Sequence, residues 1–447
     1  MKISKFIILS FILILSIKVK AQSYIGYSVD NYSGVHSLIS NPSNVVDSRL
    51  KVDINLFSAS LFGGSDYFGI NVSDILKSDG GFDFEDDAEK FPSNTNDFFL
   101  NVDVLGPSFM FNLSPKSSIG VVSRVRAFFN INNISGELYE NIADDFDTGE
   151  DFNFNSENLT GTIHAWAEVG LVYGRVFVNK KHNFLKGGVT LKYLQGAGSL
   201  FLNSPNFTGQ YNAANETLTT TGVLNYGISQ DFDNDDINFK NLASGFGTDI
   251  GFTYEYRPNI NLDSVSKKQN KYKLKVGASI TDIGAINYKE SVVTTYDLNA
   301  TVDASSFDDN DDTQEFLDNN YTNTENTIAQ EIKLPTAFHL LIDYHLKNKI
   351  YISLQSNLSL IKSNTPNSNS IINTVVLAPR IETKWFSLYS PISMRQYGEF
   401  AWGTGLRLNT VIGGTIMVGS GSILSNLLSN TSKTTDVYLG FKIPIYQ

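Results

Sequence analysis

Three residues able to bind a metal, His339, Asp343 and His345, alternate with Leu340, Ile342, Tyr344 and Leu346. On a strand, that spacing puts two imidazoles and a carboxylate on one face, and these are the donor types of a transition-metal site. His339 and His345 would nevertheless lie about 20 Å apart at ~3.4 Å per residue, too far to share one ion. The other reading is a polar face turned toward a wet interior. Asp231-Phe232-Asp233-Asn234-Asp235-Asp236 offers alternate oxygen ligands, as a calcium loop does. It lacks the glycine at the sixth position, and Leu242 stands where the twelfth-position acid belongs, so a solvated acidic loop is the alternative. No Gly-x-Ser-x-Gly elbow, His-Glu-x-x-His pair or phosphate-binding glycine loop is present. The sequence therefore predicts no enzyme, no cofactor and no metal centre.

The elements that must position these residues are strands. Ile350, Ile352, Leu354 and Leu358 alternate with Tyr351, Ser353, Gln355 and Asn357, and Ile163, Ala165, Ala167, Val169 and Leu171 alternate with His164, Trp166, Glu168 and Gly170. The same period runs through Tyr272 to Thr281, where Lys271, Lys273 and Lys275 share a face, and through Val437 to Ile445. One face of each strand is apolar. The other carries Ser, Thr, Asn, Gln and Gly with scattered charges, too polar to pack as a sandwich core. A lipid-facing wall around a polar interior accounts for both faces. The predicted fold is all-β: a transmembrane antiparallel up-and-down β-barrel of about 14 strands, 12 to 16 at the limits, each about 9 to 13 residues long. Short helical pieces are expected only near 31–47 and 421–430.

Charge sorts the connections. Ser114-Pro115-Lys116-Ser117, Asn179-Lys180-Lys181-His182 and Lys347-Asn348-Lys349 are short and basic, and 267–271 is basic as well. The stretches 79–89, 137–151, 229–236 and 303–318 are acidic. Short periplasmic turns and long acidic extracellular loops are the expected arrangement.

The 447 residues carry 34 Lys and Arg against 46 Asp and Glu, a net charge of −12, and no cysteine. An acidic chain lacks the cationic surplus that binds phosphate backbones, so nucleic acid is not a partner. Without cysteine there is no disulfide, thiolate site or thiol nucleophile. Lys2 and Lys5 precede an apolar run from Phe6 to Ile17, and a cut after Ala21 fits a secretory signal peptide over 1–21. Its removal, with four lysines, takes the net charge to −16. Beyond it no apolar run is long enough for a membrane helix. The expected domains are the signal peptide, an N-terminal segment over 22–49 and a barrel over 50–447. The expected location is the outer membrane of a Gram-negative bacterium after Sec export.

Asn41-Pro42-Ser43-Asn44, followed by Val52-Asp53-Ile54-Asn55-Leu56, resembles the opening segment and first strand of long-chain fatty-acid-transporter-like barrels. Ala21-Gln22 with Asn41-Pro42 is similar to an uncharacterised Bacteroidota family of exported outer-membrane β-barrels. Ser279-Ile280-Thr281-Asp282-Ile283-Gly284 resembles a stretch of that group and of type IX secretion-associated barrels. Gly440, Ile443 and Ile445 resemble the terminal-strand signal read by the barrel-assembly machinery, although the chain ends in Gln447 rather than an aromatic residue.

The resemblance implies that residues 22–49, with Asn41 and Pro42, enter the lumen as a plug; a periplasmic tether is the alternative. His164, Trp166, Glu168, Lys273, His339, Asp343, Tyr351 and Gln355 are the expected lumen-lining residues. The resemblance favours a gated transporter or binding barrel for a hydrophobic or amphiphilic small molecule. The alternative is a structural or interaction barrel that supports envelope assembly, secretion or surface attachment. Expected partners are outer-membrane lipid, lipopolysaccharide bridged to the acidic loops by divalent cations, the barrel-assembly machinery and a secretion or envelope protein.

Overall fold

The computed structural model describes residues 23–71, 88–229, 243–258, 270–307, 313–411, 413–429 and 431–446. The signal peptide, the Asp231–Asp236 run and most of 79–89 lie outside them.

Fourteen antiparallel strands close into one barrel. In chain order they are β1 (Leu50–Ser65), β2 (Asn96–Leu105 and Ser108–Ser114), β3 (Ser117–Ile134), β4 (Phe152–Lys180), β5 (Asn183–Asn212), β6 (Thr217–Ser229 and Ala243–Tyr256) and β7 (Leu274–Asp297). They continue with β8 (Thr322–Lys333 and Ala337–Lys347), β9 (Ile350–Ser359), β10 (Thr374–Glu382), β11 (Phe386–Tyr389 and Ile392–Arg395), β12 (Phe400–Trp402 and Thr404–Asn409), β13 (Thr415–Ser420) and β14 (Thr434–Tyr446). β14 pairs with β1 from Leu50↔Tyr446 to Gly64↔Thr434, which removes both sheet edges.

Alternation decides what each wall face meets. Along β3 the even-numbered residues are buried while the odd ones are partly or fully exposed. The exterior shows large apolar side chains such as Val169, Leu171, Leu191, Phe252 and Leu439. Aromatic residues stand on the outer surface near both ends, with Tyr254, Tyr256, Tyr344 and Trp385 toward one and Phe400 and Trp402 toward the other. That is the surface a lipid-facing wall requires. No helix among the described residues is long and apolar enough to cross a membrane.

The short basic turns at 115–116, 181–182 and 348–349 all lie at the end where both ends of the barrel chain emerge. The other end carries the connections around 66–95, 135–151 and 298–321. Three details differ from the sequence reading. Strands are not uniformly short: β4 and β5 have 29 and 30 residues and stand well above the barrel. There they join β6 and β7 over an apolar cluster that includes Phe146, Phe154, Tyr211, Tyr296 and Phe316, and Thr322–Lys333 of β8 pairs with the upper part of β7. The expected acidic loop at 229–236 does not join two strands, because its flanks Ser229 and Ala243 belong to one wall position between β5 and β7. Finally, 137–151 and 303–318 are not loops throughout, since short helices α1 (Gly136–Ala143) and α2 (Thr313–Asn320) lie in or across them. The helical pieces expected near 31–47 and 421–430 are two 3-10 turns, Gly34–Ser37 and Pro42–Val45, and α3 (Ile423–Leu428).

β7 explains the Asp-Ile-Gly stretch. Asp282 has φ 58° and Gly284 has φ 156°, and the register with β6 shifts between Thr248 and Ile250. This bulge lets β7 pair with Ala337–Lys347 below it and with Thr322–Lys333 above it. A Cβ on Gly284 would stand 2.2 Å from the Phe246 carbonyl oxygen, so only glycine fits there. The bulge turns the Asp282 carboxylate inward.

Candidate functional site in the barrel interior

Residues 23–49 lie among the inward-facing side chains. Tyr24, Ile25, Tyr27, Val29, Tyr32, Val35, Leu38, Val45 and Val46 are all buried. Asn41 caps the second 3-10 turn: its Oδ1 accepts from the Ser43 backbone N–H (3.0 Å) and hydroxyl (2.7 Å), and Pro42 opens the turn. Asn41 Nδ2 donates to the Phe252 carbonyl on β6 (3.1 Å), and Ser43 Oγ meets Thr253 Oγ1 (2.7 Å). The approach is so close that a Cβ on Gly251 would lie 2.3 Å from Asn41 Oδ1.

Charged wall residues hold the rest of the segment. Arg407 Nε donates to Asp30 (3.1 Å), and Glu382 accepts from Asn31 and pairs with Arg49 (3.2 Å). Lys442 Nζ donates to the carbonyls of Tyr32 (2.6 Å) and Ser33 (2.8 Å), while Asp53 accepts from the Val35 N–H (2.8 Å). Burial alone would raise the Asp30 pKa, but Arg407, Ser387 and the Tyr32 N–H together hold it below the ordinary carboxylate value. His36 packs against the rings of Tyr24 and Tyr27, each 5.1 Å away, and its Nε2 meets Ser58 Oγ (2.9 Å). Burial, reinforced by the Lys442 ammonium, pushes its pKa well below 6.5, so His36 is neutral here.

A second constellation crosses the middle of the barrel. Arg124 pairs with Glu168 (2.6 Å) and Asp103 (3.1 Å), Arg126 with Asp282 (2.9 Å), and Lys192 with Asp282 (2.6 Å) and Asp249 (2.8 Å). Trp166 Nε1 donates to Glu168 (3.1 Å), and Arg126 lies 4.9 Å and 5.0 Å from the rings of Phe128 and Trp166. Those rings begin an inward-facing apolar cluster with Leu194, Phe201, Ile286 and Ile332. The interior thus presents apolar surface directly beside buried cations and acids.

Of the residues expected to line the lumen, His164, Trp166 and Glu168 are buried together, with His164 Nε2 on Tyr288 OH (3.1 Å). Tyr351 and Gln355 contact the N-terminal segment, and Asp343 reaches it through Tyr272 and Lys275, which bond Asn31. Asp343 pairs with Arg380 (2.8 Å), Tyr351 OH accepts from Arg49 (3.2 Å), and Gln355 donates to Ser28 (3.3 Å). His339 bridges Thr281 (2.9 Å) and Asn357 (2.8 Å), whereas His345 stacks on Tyr351. Lys273 departs from the expectation. Its backbone bonds Tyr256 and His345 on the two neighbouring strands, but the alternation slips here, with Tyr272 and Lys275 both buried, so the parity it shares with Lys275 does not apply. Its ammonium donates to the carbonyls of His345 and Leu346 and lies over the exposed Tyr344 ring. On β14, Gly440 opposes Ser58 and faces inward, and Ile443 and Ile445 face out.

The sequence reading did not single out Arg124, Arg126, Lys192 or Asp249. The available signal was their alternation with apolar neighbours, as in Val122-Ser123-Arg124-Val125-Arg126-Ala127. Among the described residues, the cavity beside the N-terminal segment has about 70 Å³ and the one beside Arg124 and Asp282 about 40 Å³.

A model of a family described as being of unknown function (DUF5723) matches residues 42–415. No curated protein matches the sequence. Among solved structures the chain is similar to the Pseudomonas putida toluene transporter TodX, with 9% identity over 95% of this chain and 97% of that one and a TM-score of 0.44. It is similar to the Ralstonia pickettii toluene transporter TbuX, with 8% identity over 93% and 95% and a TM-score of 0.42. A Pseudomonas aeruginosa FadL homologue is similar at 8% identity over 96% and 100%, with a TM-score of 0.44.

Proposed function

For this chain, which belongs to the DUF5723 family of unknown function, we propose a gated outer-membrane barrel that binds or passes a hydrophobic or amphiphilic small molecule. The single observation behind this is a stratified interior. Phe128, Trp166, Leu194, Phe201 and Ile286 face inward above a belt of buried ions, and residues 23–49 occupy the space toward the periplasmic end. A small apolar or amphiphilic molecule would be received by the apolar layer. The segment is the gate, because polar and ionic contacts that can be exchanged for water hold it, rather than strand pairing. The resemblance of Asn41-Pro42 to fatty-acid-transporter-like barrels points the same way.

The apolar exterior supports the outer-membrane position. The inward Gly440 and outward Ile443 and Ile445 are the features of β14 offered to the assembly machinery, and the acidic outer stretches would meet lipopolysaccharide through divalent cations. A second reading, a structural or interaction barrel, is favoured by how completely the interior is filled: the cavity beside the segment is only about 70 Å³.

Flux into vesicles separates the two. With the purified protein reconstituted, a fluorescent acyl-chain probe should enter faster than into empty vesicles, and a hydrophilic sugar probe should not. Equal entry of the acyl probe with and without protein, in a variant whose segment is released, would leave only the structural reading.

A further inference from the structure

The cavity of about 70 Å³ beside residues 28–49 lies toward the periplasmic end, between the segment and the wall formed by β5 to β8. Its lining includes four cations, Arg49, Lys186, Lys271 and Lys275, and three acids, Asp30, Asp47 and Glu255, of which Asp30 is held by Arg407. Three of the cations are committed. Arg49 pairs with Glu382 (3.2 Å), Lys271 with Asp47 (2.7 Å) and Lys275 with Asp343 (3.5 Å). Lys186 is different: it is 5% exposed, and its Nζ donates to the Val46 carbonyl (2.8 Å). Among the described residues no carboxylate comes within 4.0 Å of it. The nearby acids Asp47 and Glu255 are both taken by Arg257, at 2.6 Å each.

An ammonium has three donors, and a buried one is costly unless it is paired and hydrogen-bonded. Water can satisfy the remaining donors of Lys186 but brings no charge. The cavity is several times larger than the roughly 10–15 Å³ one water needs. Ser33 and Ser37 also line it, but their hydroxyls donate to the Asp30 (2.6 Å) and Gly34 (2.7 Å) carbonyls, which leaves Lys186 as the group with donors to spare.

We propose that this cavity is a binding site for an oxyanion, a phosphate or carboxylate group, held by Lys186 as the counter-charge its burial calls for. The group arrives either as a free ion from the periplasm or as the head of an amphiphile. The first source stands independently of the proposed transport; the second rests on it.

Calorimetric titration of the full-length mature protein in detergent, at neutral pH and low salt, tests the site with two probes, inorganic phosphate and decyl phosphate. Saturable one-site binding of inorganic phosphate, with decyl phosphate no tighter, identifies a free-ion site. Binding of decyl phosphate at least about tenfold tighter identifies a head-group site. Lys186→Met should weaken either by about tenfold or more, and Lys186→Arg should stay within about threefold of the parent. Should Lys186→Met fail to give a heat-modifiable folded band, Lys271→Gln replaces it at the rim of the cavity and should weaken binding severalfold. Failure of both probes to saturate overturns the proposal, as does parent-like affinity in the folded methionine variant or, where Lys271→Gln stands in for it, in that variant.

Discussion

Asp30→Ala should release the N-terminal segment. Arg407 is fully buried, and among the described residues Asp30 supplies its ion pair at 3.1 Å. Its other acceptors are neutral: Ser387 Oγ, Asn409 Oδ1 and the carbonyls of Thr383 and Lys384. Removing the carboxylate leaves an uncompensated guanidinium wherever the segment still fills the lumen, a change that costs about 3–5 kcal/mol at a buried pair. With the segment out, water reaches Arg407 and most of that cost disappears. The equilibrium between inserted and released states should therefore move by roughly two to three and a half orders of magnitude. The chain has no cysteine, so Ser28→Cys provides a single reporter at a position only 6% exposed. Maleimide labelling of that thiol in folded, membrane-embedded protein reads the released population when opening is fast relative to labelling. Asp30→Ala should raise the labelling rate by roughly a hundredfold or more, and Asp30→Ala with Arg407→Leu should bring it most of the way back. Labelling within about threefold of the parent would show that this ion pair does not hold the segment, and the gating argument would lose its main latch.

The same reporter should show a pH dependence set by His36. The inserted segment holds His36 unprotonated at pH values where a released histidine, pKa near 6.5, takes up a proton. Insertion is thus fully favoured above about pH 6.5 and weakens as pH falls, by up to ~1.4 kcal/mol per unit, and His36→Gln should flatten the labelling rate between about pH 5 and 6.5. Leu191→Arg, on the outer surface of β5 opposite Leu171, should destabilise the barrel in lipid by about 2–4 kcal/mol if it sits near the midplane, measured by urea unfolding in vesicles. Gly284→Ala should cost about 1–3 kcal/mol in the same assay, because the residue sits at φ 156° with the Phe246 carbonyl 2.2 Å from the added carbon. Unchanged stability in either variant would contradict the orientation of β5 or the bulge in β7.

The period-two alternation made the barrel legible, because each strand separates lipid from a polar interior and must therefore advertise two unlike faces. It placed Trp166 and Glu168 opposite Val169, and Tyr351 and Gln355 opposite Ile352, on the faces where they lie. It could not tell where a strand pauses. Tyr272 to Thr281 reads as a strand that ends there, whereas β7 runs on to Asp297 because the bulge at Asp282 resets the parity without ending the pairing. Lys273 was misplaced for the related reason that the alternation slips at the foot of β7, where Tyr272 and Lys275 are both buried. The ion belt was hidden because its members come from β2 to β7, up to 179 positions apart in sequence between Asp103 and Asp282, and only the strand order and the curvature of the wall bring them together. Thr322–Lys333 was missed because its residues are exposed on both faces and show no alternation.

A reversible lock on the segment is the most direct measurement. Ser43 Oγ and Thr253 Oγ1 lie 2.7 Å apart, so Ser43→Cys with Thr253→Cys places two sulfurs at bonding reach in a chain otherwise free of thiols. Flux of the fluorescent acyl probe into vesicles should stop when the pair is oxidised and return to the reduced rate on adding a reductant. Undiminished flux through the oxidised barrel would contradict a gate formed by residues 23–49.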